Sequence, residues 1–298
     1  MCGIVGLFLK DQGLHANLGY FLTSMLITMT ERGPDSAGIA IYDSNTSAEA
    51  KITIQSEHPE SDFEIIGSQL AAIIDTPVGV VVRDTHAVLG LDMDKLDQAR
   101  QAIGKLCPNI RVMSVGEKIE IYKEVGLPKN VTDRFSVSTM SGTHGIGHTR
   151  MATESAVTTM GAHPFSTGMD QCLVHNGSLS NHNSLRRKLR RAGVVIETEN
   201  DTEVGAAYLS YKMQQGSTLQ EALQSSLSDL DGFFTFLVGT KEGFGVVRDP
   251  IACKPAIMAE TDQYVAFGSE YRALVDLPNI ETAKVWEPEP ATVYFWKH

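Results

Sequence analysis

The chain opens Met1-Cys2-Gly3-Ile4-Val5-Gly6-Leu7-Phe8-Leu9. Removing the initiator methionine makes Cys2 the N-terminal residue, directly ahead of an apolar run that predicts a strand buried on both faces. Such a cysteine carries a thiol nucleophile and a free α-amine. Their reference pKa values are about 8.5 and about 7.7–8.0, so near neutrality the amine accepts the thiol's proton. One residue then supplies both nucleophile and base.

Working outward, Leu18, Phe21, Leu22, Met25, Leu26 and Met29 recur at helical spacing. They predict an amphipathic helix with Asn17 as its N-cap, closed by Gly33-Pro34. Residues 36–42 return as a strand. From about 43 to 141 the pattern changes. It holds a helix through Phe63, Ile66, Leu70, Ile73 and Ile74, a β-branched run at 78–82, a charged helix at 92–106 and strands within 110–122. No chemical constellation falls there, and the interval reads as an insertion with its own small α/β core. After the Gly- and Thr-rich string 141–153 comes a short strand at 172–174, then helices near 181–192, 202–214 and 218–229. Strands at 233–238, 244–247, 256–258, 264–267 and 293–296 follow. Such an order predicts sheets packed together under helices.

The 298 residues carry 36 acidic and 25 basic side chains, a net charge of −11 that argues against nucleic acid or an anionic membrane as partner. The basic run 186–191 reads as the wet side of a helix around Leu185 and Leu189. Cys2, Cys107, Cys172 and Cys253 are scattered, without disulfide or zinc spacing. No apolar stretch reaches the length of a membrane span, and Lys10 and Asp11 interrupt the only run that resembles a signal peptide. A cytosolic protein with reduced thiols is expected.

Three further strings carry chemistry: Gly147-His148-Thr149-Arg150-Met151-Ala152-Thr153, His175-Asn176-Gly177-Ser178-Leu179-Ser180-Asn181 and Asn200-Asp201-Thr202-Glu203. Together they supply what hydrolysis of a glutamine side-chain amide requires. Attack on the amide carbon puts charge on its oxygen, and an Asn side chain beside a Gly backbone N–H provides two donors for it. The α-carboxylate of glutamine suits the planar fork of Arg150, with the Thr153 hydroxyl nearby. Its ammonium needs a carboxylate, for which Asp201 is the candidate, with helix N-capping as that residue's structural use. His144, His148, His163 and His175 show no metal-ligand spacing, so no metal is expected.

In this order, Cys2-Gly3-Ile4-Val5-Gly6, Arg32-Gly33-Pro34-Asp35-Ser36-Ala37-Gly38, His148-Thr149-Arg150, the Asn176-Gly177 string and Asp201-Thr202-Glu203 resemble the signatures of class II glutamine amidotransferases. Arg248-Asp249-Pro250 and Ser269-Glu270 resemble the closing segments of that family. The resemblance implies an α+β fold, the four-layer αββα sandwich of the N-terminal-nucleophile hydrolases, running over residues 1–298 with the insertion at about 43–141. It also implies Cys2 as nucleophile and base, Asn176 and Gly177 as oxyanion hole, and Arg150, Thr153 and Asp201 as the clamp on L-glutamine. Arg32 and Asp35 are expected to support the site from behind, and no cofactor is called for.

Met151 departs from the aromatic residue often found beside the arginine, and Lys254 stands where an arginine often precedes the final proline. No acceptor domain is read in the chain. Ammonia is therefore expected to pass to a partner synthase subunit, of the kind found in glutamate-synthase-like complexes such as N-methylglutamate synthase. Two alternatives stay open: an N-terminal-nucleophile amidase for another small amide, and a non-catalytic interaction subunit. Retention of Met1 would favour the latter, since it displaces the amine.

Overall fold

The structure is a computed structural model that describes residues 2–42, 48–152 and 156–298. The chain begins with β1 (Gly3–Leu9), helix α1 (Leu18–Thr28) and β2 (Ser36–Tyr42). Next come β3 (Ala50–Gln55), α2 (Pro59–Ile74), β4 (Gly79–Arg83), β5 (His86–Leu91), α3 (Leu96–Leu106) and β6 (Arg111–Gly116). The middle holds β7 (Ile119–Val125), α4 (Pro128–Arg134), β8 (His144–Arg150), β9 (Phe165–Gly168) and β10 (Gln171–Leu179). Helices α5 (His182–Arg191), α6 (Asp201–Gln214) and α7 (Leu219–Asp229) follow. The chain closes with β11 (Gly232–Thr240), β12 (Gly243–Arg248), β13 (Ile257–Glu260), β14 (Tyr264–Gly268), β15 (Lys284–Trp286) and β16 (Val293–Lys297).

Two antiparallel sheets stack face to face. One runs β15-β13-β14-β1-β8-β2-β7, the other β16-β12-β11-β10-β9. The alternation of β1 shows how one strand serves two cores. Ile4 and Phe8 join Val174, Leu237, Phe244 and Val246 between the sheets. Val5, Leu7 and Leu9 point the other way and pack with Leu22, Met25 and Leu26 of α1. On the far side, Leu173, Phe234 and Phe236 are covered by Leu185, Leu189, Val204 and Leu223 from α5, α6 and α7. The layers are thus helix, sheet, sheet, helix, as expected. Within α5 the basic run is not wholly wet: Arg186 is buried and pairs with Glu199 at 3.0 Å.

The glycine-rich string 141–153 contains a strand that composition hides. β8 is buried along its whole length. A Cβ on Gly147 would stand 2.9 Å from Leu26 Cδ2, and one on Gly145 2.5 Å from Leu22 Cδ1. Missing side chains let α1 lie directly on the sheet. Asn17 makes no capping bond; a 3-10 turn at Gln12–Asn17 runs straight into α1, and the capping bond moves upstream, where Asp11 accepts from Gly13 N at 2.8 Å.

The insertion is smaller than 43–141. Its separate sheet, β4-β5-β3-β6, ends at Gly116, and with α2 and α3 it forms a βαββαβ unit of the split-βαβ kind. Ile52, Ile54, Phe63, Ile66, Leu70, Leu89 and Ile103 fill its core. β7 instead pairs with β2 at the edge of the seven-stranded sheet, and Val131 of α4 packs into the α1 core. Residues 43–47 lie outside the described part.

The α1–β8 contact is testable. Leu26→Ala should destabilise by about 2–5 kcal/mol, and Gly147→Ala by about 1–3 kcal/mol through overpacking. The double variant should lose less than their sum, since the new Cβ enters the space Leu26 leaves; additive losses in urea unfolding would contradict this packing.

Candidate active site

Cys2 stands half-buried at the head of β1, the strand flanked by β14 and β8. Its carbonyl oxygen is the meeting point of two side chains. Arg32 Nε donates to it at 2.9 Å, and Asn176 Nδ2 at 3.2 Å. Arg32 comes from the tight turn Thr30–Arg32 that ends the α1 segment. Asn176 comes from β10 in the other sheet, so the two sheets meet at the residue just before β1.

Gly177 follows at φ +148°, and a Cβ there would stand 1.9 Å from the Phe233 carbonyl. Only glycine fits, and the backbone beside Asn176 stays unshielded. Asp201 begins α6, but the capping residue is Asn200, whose Oδ1 accepts from Thr202 N at 2.9 Å. Asp201 Oδ2 instead accepts from Leu179 N at 2.9 Å, at the end of β10. The positive end of α6 favours its charge.

Arg150 is the buried last residue of β8, and its Nη1 donates to the Ala156 carbonyl at 3.3 Å. Asp35 braces the chain on both sides of it. Its N–H donates to the Arg150 carbonyl at 3.1 Å, and its Oδ2 accepts from Ala152 N at 2.8 Å. Gly161 lies between Arg150 and Asn200, the residue before Asp201: a Cβ there would be 3.3 Å from Arg150 Nη1, while its carbonyl accepts from Asn200 Nδ2 at 3.4 Å. Thr153 lies outside the described residues.

Two groups of residues near the site escape a sequence reading. Glu270 receives Arg32 Nη1 at 2.6 Å; its only signal is its place in the closing Ser269-Glu270 pair. The histidines form a buried polar knot. Thr202 Oγ1 shares hydrogen bonds with His175 Nδ1 at 3.0 Å and His163 Nε2 at 3.2 Å. The rings of His163 and His148 stack at 4.0 Å, and His148 Nε2 donates to the His175 carbonyl at 3.2 Å. Burial disfavours their charged forms. It pushes His148 down to about 3 and His163 well below its ordinary value. His175 is lowered for the same reason, with Asp201 opposing. Neutral imidazoles therefore back the strand that carries Asn176.

Residues 148–276 match the family model described as a glutamine amidotransferase domain. Over all 298 residues the chain is 65% identical to the glutamine amidotransferase-like protein GlxB of Rhizobium meliloti (strain 1021), covering 99% of that protein. It is 31% identical over 178 residues to the amidophosphoribosyltransferase of Methanocaldococcus jannaschii, which is 59% of this chain and 38% of that one. Among solved structures, the allosteric regulatory enzyme of purine biosynthesis matches with a TM-score of 0.65 at 21% identity. The glutamine phosphoribosylpyrophosphate amidotransferase from B. subtilis matches with 0.63, also at 21%. Both matches cover 99% of this chain and 47% of the other, so the chain spans about half their length. At this identity the likeness is one of fold.

The histidine knot sets a pH dependence of stability. The unfolded chain takes up protons near pH 6.5, while His148, like the buried His144, is held at about 3 in the fold. Stability is then full above about pH 6.5 and is lost as pH falls towards about 3, by up to about 1.4 kcal/mol per pH unit for each histidine. Urea-unfolding free energies should drop between about pH 6 and pH 4. His148→Gln keeps a donor for the His175 carbonyl but does not titrate, and it should flatten that slope. A slope unchanged by the substitution would contradict the assignment.

Proposed function

The chain belongs to the class II glutamine amidotransferases, and from that premise we propose that it is a glutaminase subunit that hands ammonia to a partner synthase. On this reading residues 1–298 are one amidotransferase domain interrupted by the βαββαβ unit. The Cys2 thiol gives its proton to the α-amine and attacks the side-chain amide carbon of L-glutamine. Asn176 Nδ2 and the Gly177 N–H take the charge that develops on the amide oxygen. Collapse of the tetrahedral adduct breaks the C–N bond, and the α-ammonium protonates the departing nitrogen. Water then attacks the γ-glutamyl thioester, releasing glutamate and restoring the thiol.

The observation that carries the proposal is the convergence on one atom: Arg32 and Asn176 both donate to the Cys2 carbonyl, which seats the nucleophile's residue against the Asn-Gly pair. Arg150 and Asp201 answer the carboxylate and ammonium of a free amino acid. Two opposite charges suit glutamine and would be wasted on an apolar acyl chain. Delivery to a partner follows from chemistry, because ammonia released into neutral water becomes unreactive ammonium. A glutamate-synthase-like enzyme, N-methylglutamate synthase in particular, is the partner we favour, in a reducing cytosol that keeps Cys2 a thiol.

Protein processed to Cys2 should form glutamate from glutamine and yield a γ-glutamyl hydroxamate when hydroxylamine intercepts the thioester. Cys2→Ala should abolish both products. Arg150→Lys should raise KM for glutamine about tenfold or more, since a lost charge-assisted hydrogen bond is worth about 1.5–3 kcal/mol. Absence of both products from protein whose intact mass lacks Met1 would refute the glutaminase reading. Purification of the native complex reports on the partner separately: a flavin or iron–sulfur synthase supports it, and a subunit carrying neither overturns it.

A further inference from the structure

We propose that Glu270 is a positioning residue for Cys2, acting through the Arg32 guanidinium. Only the kinetic part of its test rests on the glutaminase reading. Arg32 is a long side chain with several rotatable bonds, and a single bond from Nε to the Cys2 carbonyl leaves its plane free to swing. A second bond from another corner of the fork removes that freedom. Glu270 Oε1 supplies it, accepting from Nη1 at 2.6 Å. The guanidinium is buried, while Glu270 is one-third exposed, so the carboxylate also neutralises a cation that water reaches poorly.

Glu270 is itself held in place relative to β1. The register of β14 on β1 pairs Val5 with Gly268. One step further, Ser269 N–H donates to the Ile4 carbonyl at 2.9 Å, and Ser269 Oγ accepts from Ile4 N at 2.9 Å. The next residue is Glu270. Its other oxygen, Oε2, lies 2.7 Å from Arg272 Nε, and Arg272 Nη1 lies 3.0 Å from Glu31 Oε2. These cations, Arg32 foremost, keep the Glu270 carboxyl below its ordinary value, so it is ionised where the enzyme works.

The geometry is a closed loop: β1 to Ser269 by backbone and hydroxyl, Glu270 to Arg32 by charge, Arg32 back to the carbonyl of Cys2. The Cys2 carbonyl, and with it the peptide plane after Cys2, is thereby held by both Arg32 and Asn176. Holding that plane anchors the Cys2 Cα, so that only rotation about the Cα–C and Cα–Cβ bonds is left to aim the amine and the thiol. Glu270 touches no substrate in this scheme, which separates it from the clamp residues.

The test uses full-length, Met1-processed protein with Glu270→Ala, Glu270→Gln and Glu270→Asp. Three readouts are taken: steady-state glutamine hydrolysis, the rate of Cys2 alkylation by iodoacetamide followed by peptide mass, and thermal melting. Glu270→Ala should lower kcat about 10- to 100-fold while KM stays unchanged, the range expected for a reacting group misplaced by about 1 Å. Alkylation should quicken severalfold, because a released chain end exposes its thiol to a small unselective reagent. Glu270→Asp should recover part of kcat. Glu270→Gln, isosteric but uncharged, should fall between wild type and Glu270→Ala, and it carries the test if the alanine variant does not fold.

Wild-type kcat and alkylation in both the alanine and the glutamine variants would overturn the proposal. So would losses of kcat that track a lowered melting temperature in the glutamine variant. If the wild type turns over no glutamine yet Glu270→Ala still quickens alkylation without loss of melting temperature, the glutaminase reading fails and the positioning role stands.

Discussion

Everything at the site depends on gripping β1 up to its first residue. Chain ends fray unless something ties them down, and a nucleophile at a fraying end has no fixed address. Here β1 is flanked by antiparallel partners on both sides, with Gly3 opposite Thr149 of β8 and Val5 opposite Gly268 of β14. Beyond the last regular pairing the grip passes to side chains: Ser269 at Ile4, then Arg32 and Asn176 at Cys2. Those three come from the β14 end, the α1 end and the second sheet. The sandwich as a whole therefore sets where Cys2 sits, and no local loop motif would do so.

The same demand explains the composition of β8. A strand lying beside β1 must let α1 pack close on one face while the second sheet packs on the other. Glycines at 145 and 147 provide the first, under Leu22 and Leu26. His148, between them and Arg150, faces the second sheet and donates to the β10 backbone at the His175 carbonyl. Desolvation holds that imidazole neutral, so it contributes a directed hydrogen bond without bringing a charge between the sheets. Arg150 then emerges at the strand's end, where Asp35 fixes the backbone around it.

Legibility in the sequence follows locality. β1, α1, β2, α5, α6 and α7 are readable because their own periodicity decides their burial. β8 is not, since Gly, His, Thr and Arg give no apolar alternation and its burial comes from neighbours. β9 and β15 are too short to carry a pattern. The boundary of the insertion is equally hidden. β6 and β7 look alike as apolar hairpin strands, and only the choice of partner, β3 for one and β2 for the other, separates them. Around Cys2, Asn176 and Gly177 are readable from the chemistry an amide requires, and Arg32 from a family pattern. Glu270 meets Arg32 across 238 residues of sequence, and no local signal foretells a pairing at that distance.

The βαββαβ unit meets the sandwich through ring contacts of His86 with Tyr122 and Phe135 and through several polar contacts. At the crossing from β6 to β7, Asp170 lays its carboxylate across the backbone N–H groups of Glu117, Lys118 and Ile119 at 2.8–3.1 Å. Lys51 of β3, almost fully buried, pairs with Glu120 of β7 at 2.8 Å, and Tyr122 donates to the other Glu120 oxygen at 2.6 Å. A buried pair of this kind adds little net stability against an apolar replacement, but it penalises any arrangement that separates its members. Glu124, two residues beyond Tyr122, then accepts from Thr85 in the β4–β5 turn at 3.3 Å and from Thr159 in the segment that leads away from Arg150. One carboxylate thus touches the inserted unit and the loop beside the candidate glutamine clamp.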